Sequence, residues 1–151
     1  MDALTLLTQQ HDEAMDLFKQ IEETEDEKKG RQLFTTLKAA LELHEELEEA
    51  TLYPRMKADE AFKDETLEAY EEHHVMDLLL REIDNLSAGS EHFKPKVKVL
   101  EENTKHHAKE EEEAKLFPML RERWTKGQLD EVGAEMAQMM KSKGKTEKKA
   151  A

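Results

Sequence analysis

Cysteine is absent from the chain, so disulfides, thiolate metal sites and thiol nucleophiles are excluded together, and any bound metal must be held by nitrogen and oxygen. Proline occurs three times, glycine five times, and aromatic residues make up 5% of the 151 residues. That leaves too few turn formers and too few flat, bulky side chains for a sheet sandwich or barrel. An all-α protein is expected. No apolar run approaches the roughly 20 residues that cross a bilayer. The first ten residues carry Asp2 and no basic leader, from which a cytoplasmic location is expected. Basic residues are also in short supply: 23 Lys and Arg stand against 36 Asp and Glu, and a net charge of -13 repels phosphate backbones and anionic lipid alike. Neither nucleic acid nor a membrane is an expected partner.

What is present is helical periodicity in a chain that is 39% charged and of a length suited to one core. In the first segment Leu4, Leu7, Ala14, Phe18 and Ile21 recur at helical spacing, with His11 in the same series. A second helix begins near Arg31 and aligns Leu33, Leu37, Leu41, His44, Glu48 and Leu52, before Pro54 closes or kinks it. The third runs from about Phe62 to Leu86, with Ala69, His73, Met76, Leu80 and Ile83 on one face and His74 beside it. After the loop Ser87-Ala88-Gly89-Ser90, a fourth helix starts near Phe93, tolerates Pro95 in its first turn, and reaches Trp124. Gly127 precedes a short amphipathic stretch, Leu129 to Met140, whose Val132, Met136, Met139 and Met140 are expected to pack across the bundle end. The prediction is an up-and-down four-helix bundle with a short C-terminal helix over residues 1–140, followed by a disordered basic tail over 141–151.

Of seven histidines, His11, His44, His73 and His107 point inward, one from each long helix. A lone histidine on an apolar stripe is ordinarily a satisfied core residue. Burying several imidazoles beside carboxylates is another matter, because it costs several kcal/mol unless each polar atom finds a partner, and a metal ion supplies partners for all of them. His44 and Glu48 are four apart and so reach the same side of their helix. The fourth helix presents His106-His107 and then Glu110 to Glu113. Here Glu112-Glu113-Ala114-Lys115-Leu116-Phe117-Pro118 matches Glu48-Glu49-Ala50-Thr51-Leu52-Tyr53-Pro54 in register, which pairs Glu112 with Glu48. The apolar stripe also slips by about one residue across the acidic run, a shift that a π-type bulge would absorb. With the bulge Glu112 returns to the bundle axis; without it Glu111 is the ligand. The slip favours Glu112, and Glu45 lies close enough to the stripe to be a reserve donor. Imidazole with carboxylate suits iron, manganese or zinc, and the donors are too many for one tetrahedral ion. Two adjacent ions bridged by Glu48 and Glu112 account for the count.

In this order the motifs resemble the hemerythrin family, in its bacterial HHE cation-binding branch. The resemblance rests on His11, on His44-Glu45-Glu46-Leu47-Glu48 followed by Leu52-Tyr53-Pro54, on Glu72-His73, and on His107 with Glu112 followed by Leu116-Phe117-Pro118. It implies a bundle that holds an oxo- or hydroxo-bridged centre of two iron ions, with dioxygen or a related small oxidant as its partner. The roles it implies are oxygen binding, redox sensing, iron handling and defence against peroxide or nitric oxide, with peroxidase- or catalase-like turnover among them. There is one departure. Oxygen-carrying members have a second histidine four residues after the third-helix ligand, where this chain has Asp77, which shifts the expectation from reversible carriage toward oxidant chemistry or sensing. Asp77, His74 and His106 remain open as further donors, and a monomer or homodimer is expected. A ferritin-like di-iron oxidase would need two Glu-x-x-His motifs, of which only Glu71-Glu72-His73-His74 has the spacing. A zinc-binding or metal-free helical interaction module is the third class, and its metal content would tell it apart.

Overall fold

The computed structural model describes residues 1–87 and 89–150, with the side chains of 145–150 excepted. Helix α1 (Ala3–Glu23) is started by Asp2, whose carboxylate accepts from the Thr5 amide at 2.8 Å. Asp26 does the same for α2 (Glu27–Leu47), accepting from the amides of Lys28 and Lys29, and Glu27 adds an acid to the positive end of the helix dipole. A π-helical turn, Glu48–Leu52, carries α2 without a break into α3 (Tyr53–Ala58). A single 3-10 turn then leads to α4 (Lys63–Asp84). Helix α5 (Phe93–Lys105) passes through a longer π-helical segment, His106–Leu116, into α6 (Phe117–Arg123), and α7 is Lys126–Ala150. The described residues therefore form five helical rods and no strand. No helix among them is long and apolar enough to cross a membrane.

Helix α1 lies against α2, α5 and α7, while α4 lies against α2, α3 and α5. The apolar core is in two parts. One gathers Leu4, Leu7, Leu47, Leu52, Tyr53, Leu116 and Leu120 with Leu129, Val132 and Met136 of α7. The other gathers Ala14, Phe18, Phe34, Leu41, Met76, Leu80 and Leu100. On each long rod the inward histidine falls between members of the two clusters, as His11 does between Leu7 and Ala14. A polar layer thus divides the hydrophobic interior.

Three details differ from expectation. Phe34 rather than Leu33 is the fully buried residue near the start of α2: both lie one turn before the buried Leu37, and packing against the other rods buries Phe34 and leaves Leu33 partly exposed. Met140 is 37% exposed, so the bundle-end contact of α7 is made by Leu129, Val132 and Met136, with Met139 partly buried. The segment 141–150, expected as a disordered tail, continues α7; its lysines are good helix formers, and Lys143 pairs with Glu46 of α2. Ala151 and the loop residue Ala88 lie outside the described residues.

Candidate metal centre

The acids of the centre are placed by a local defect in the helical ladder. Proline lacks an amide hydrogen, and in a regular helix its ring strikes the carbonyl four residues back. Just before Pro54 the Tyr53 amide bonds to the Glu48 carbonyl five residues earlier, and before Pro118 the Phe117 amide bonds to Glu112 in the same way. The repeated Glu-Glu-Ala-x-Leu-aromatic-Pro run thus builds two π-helical turns, one on each rod. The sequence signalled the bulge after His107. The one after His44 carries the same motif and was not anticipated.

The widened turns deliver Glu48 and Glu112 to the polar layer, where they are 0% and 1% exposed. His11 and His44 meet there with their Nε2 atoms 3.2 Å apart, and His73 and His107 do the same at 3.2 Å. The two carboxylates lie between the pairs. Glu112 Oε1 is 3.1 Å from His11 Nε2, while its Oε2 is 3.6 Å from His107 Nε2. Glu48 Oε1 is 3.2 Å from His44 Nε2 and 3.1 Å from His73 Nε2. Tyr53, fully buried, donates to Glu112 Oε2 at 3.0 Å and stands 3.3 Å from both His73 Nε2 and His107 Nε2.

The outer nitrogens set the tautomers. His11 Nδ1 is 2.7 Å from Glu113, His44 Nδ1 is 2.7 Å from the amide oxygen of Gln10, and His107 Nδ1 is 2.9 Å from Glu72. An acceptor at Nδ1 holds the ring proton there and leaves the Nε2 lone pair facing inward. Paired lone pairs at 3.2 Å repel unless something positive sits between them. Burial opposes charge on His11 and His107, yet Glu112 and Glu48 outweigh it and raise both, His107 strongly. Burial and the nearby Glu48 raise the Glu112 carboxyl; Glu48, despite its burial, is held low by His44 and its other partners. The Tyr53 hydroxyl is pushed up by burial and by both acids. Glu48 Oε2 and Glu112 Oε1 accept no hydrogen bond.

A chain that turns four imidazole lone pairs and two carboxylates inward, with acceptors behind the rings, is built to hold cations. The family model for the hemerythrin HHE cation binding domain matches residues 2–120. This chain belongs to that family. A hemerythrin HHE cation binding domain-containing protein from Mycobacterium kansasii has a crystal structure similar to this one, with a TM-score of 0.79 at 24% identity over 94% of this chain and 86% of that one. A curated relative from Nostoc sp., named a DNA nickase, is 28% identical over 135 residues. The match takes in 89% of this chain but spans only 38% of the Nostoc protein's length.

The hemerythrin-type residues fit metal on this structure's own geometry. His11, His44 and Glu112 bring ligand atoms within 4.8 Å of one another, as do Glu48, His73 and His107. The carboxylate oxygens that accept no hydrogen bond are free to serve as donors to such cations. Of the sequence candidates, His11, His44, Glu48, His73, His107 and Glu112 converge. Glu111 stays outside, 3.3 Å from Lys115; His106 is exposed and pairs with Glu110; His74 is exposed as well. Glu45 is buried but turns to Asp77, so Asp77 meets another carboxyl instead of filling the position of the missing histidine. Burial, Asp77 and the neighbouring acids push Glu45 up to about 10. Sequence reasoning missed Tyr53 as a member of the site. Its signal was the shared motif, which puts an aromatic five residues after each central acid.

Proposed function

We propose that this chain is a non-haem di-iron protein of the hemerythrin type that binds or reacts with dioxygen, peroxide or nitric oxide. Two close pairs of Nε2 atoms straddled by Glu48 and Glu112 are the observation that carries it, since one carboxylate has an oxygen near each pair. The four rods that supply the donors form the up-and-down bundle, with α7 closing one end. His11 and His44 would hold one ion and His73 and His107 the other, with the carboxylates of Glu48 and Glu112 between the two pairs as further donors. Two iron ions in such a nitrogen and oxygen environment supply reversible one-electron steps to a small oxidant.

The surrounding residues orient and exclude. Glu113, Gln10 and Glu72 hold three of the rings in their tautomers, and Phe117, stacked near His11 with centroids 6.0 Å apart, keeps water from that side. Tyr53 is a proton-bearing hydroxyl on the His73 and His107 side, where Asp77 turns to Glu45 and leaves the position of a second third-rod histidine unfilled. A buried donor there favours reactions that need a proton, such as those of peroxide, over reversible oxygen carriage. The nickase name of the Nostoc relative belongs to a protein more than twice as long as the match, and a net charge of -13 works against a phosphate backbone, so DNA is not the substrate of this reading.

Metal analysis with an absorption spectrum tests the proposal. About two irons per chain with near-ultraviolet charge-transfer bands are expected. Bound zinc, or a colourless protein that stays metal-free after anaerobic incubation with ferrous ion, would sink it. Stopped-flow mixing of the reduced protein with oxygen, peroxide and nitric oxide in turn then identifies the oxidant.

A further inference from the structure

A cleft of about 700 Å³ opens beside the centre and is lined by α2, the π turn after it and α4. Six acids edge it, Glu42, Glu45, Glu46, Glu49, Asp77 and Asp84, against Lys38 and Arg81. Lys38 is already engaged by Glu42, and Lys143 by Glu46. Surface acids alone do not make a site. The inner wall adds a second observation: Glu45 is only 4% exposed, and its Oε1 has no hydrogen-bond partner. Its carboxyl contacts that of Asp77. Beside it His73 Nδ1 is also buried without a hydrogen bond, 3.5 Å from Glu49 Oε2. Ligand atoms of Glu45, Glu49 and His73 lie within 4.8 Å of one another.

We propose that Glu45, Glu49 and Asp77 form an entry site for a divalent cation, which loads the buried centre past His73. The proposal rests on the metal-centre reading above. His73 is the one inward histidine whose outer nitrogen lacks a close acceptor, and its ring is the partition: Nε2 faces Glu48 at 3.1 Å, while Nδ1 faces the cleft. A hydrated ion arriving at the half-exposed Glu49 exchanges water for carboxylate oxygen there, then meets the dry oxygen of Glu45, so dehydration proceeds in steps. While His73 Nε2 is still unligated, the ring can offer its lone pair at Nδ1. Once Nε2 is taken up in the centre, Nδ1 carries the ring proton and points it at Glu49. The entry site therefore holds an ion only in transit. A second opening, lined by Glu65, Glu68, Glu72 and Glu111, also reaches His107 and Glu112. Its inner acids are engaged, Glu72 by His107 and His106, and Glu111 by Lys115.

The test is the rate at which the metal-free full chain takes up Co²⁺, and separately Fe²⁺ without oxygen, followed by absorbance under stopped flow. Asp77→Asn leaves the final metal content unchanged and slows uptake, and adding Glu49→Gln, whose amide oxygen still accepts from the His73 ring, deepens the slowing to about tenfold. The charge-matched control Glu65→Gln with Glu68→Gln keeps the wild-type rate. Unchanged uptake in the Glu49 and Asp77 variants, or equal slowing in the control, overturns the entry site while leaving the centre intact. A wild-type chain that binds no metal overturns the centre, and the entry site with it. Circular dichroism of each variant verifies the fold, which these partly exposed side chains are not required to maintain.

Discussion

Glu111 and Glu112 have identical side chains and adjacent positions, yet the first side chain is 31% exposed beside a lysine and the second is buried among histidines. The difference in environment is the difference in chemistry. Removing charge from Glu111 leaves a solvated pair worth at most about 1 kcal/mol. Removing it from Glu112 replaces one of two oxygens that face the histidine pairs, one oxygen toward each pair. Glu112→Gln is therefore expected to lower bound metal per chain, and Glu111→Gln to leave it unchanged, as read by metal analysis of the purified variants. The reverse result would mean that the fourth rod has no bulge in solution. Tyr53 teaches a complementary lesson: a buried hydroxyl needs a partner, and its nearest acceptor is Glu112 itself.

The long rods were legible because helix phase repeats locally. The buried residues of α4, including Ala69, His73, Met76, Leu80 and Ile83, fall on the face their spacing implies. Boundaries were less legible: the N-cap at Asp26 starts α2 at Glu27, ahead of Arg31, and the choice between Leu33 and Phe34, both one turn before Leu37, was left to packing. The last helix was read too short, for periodic apolar residues stop near Met140 while its hydrogen-bonded ladder does not. Its docking depends on a close approach that no local pattern announces. A Cβ on Gly133 would lie 2.3 Å from the Met1 carbonyl oxygen and 2.9 Å from the Ala3 nitrogen. Gly133→Ala must push the chain start away from α7 and is expected to destabilise the fold by about 1–3 kcal/mol, measured by urea unfolding. No change in midpoint would place the N-terminus elsewhere in solution.

Across the whole molecule, the polar layer couples metal, protons and stability. A bound cation that the unfolded chain does not hold adds about 4 kcal/mol when free metal is a thousand times its dissociation constant. Chelation is accordingly expected to lower the melting temperature. In the metal-free chain the pH dependence also has a definite sign. The stabilisation from His11 and His107, both raised above the ordinary 6.5, is present below that value and lost as pH rises through their folded values. Glu45, raised from 4.5 to about 10, adds a penalty that grows over the same interval. Glu48, which is lowered, matters only below 4.5. Scanning calorimetry of the chelated protein from about pH 6 to 9 should show a falling melting temperature, with a flatter profile in the metal-loaded protein. A rise across that window would contradict the raised histidines.

The chain's own order of residues determined the helical class, the inward histidines, the nitrogen and oxygen donor set and the family, because each depends on composition or on spacing within one helix. Packing between rods decided the rest: which carboxyl of an acidic run faces the imidazoles, that Tyr53 joins them, that Asp77 meets Glu45, and where α7 rests. Those outcomes depend on how residues from separate rods approach one another, a distance that helical spacing along a single segment does not encode.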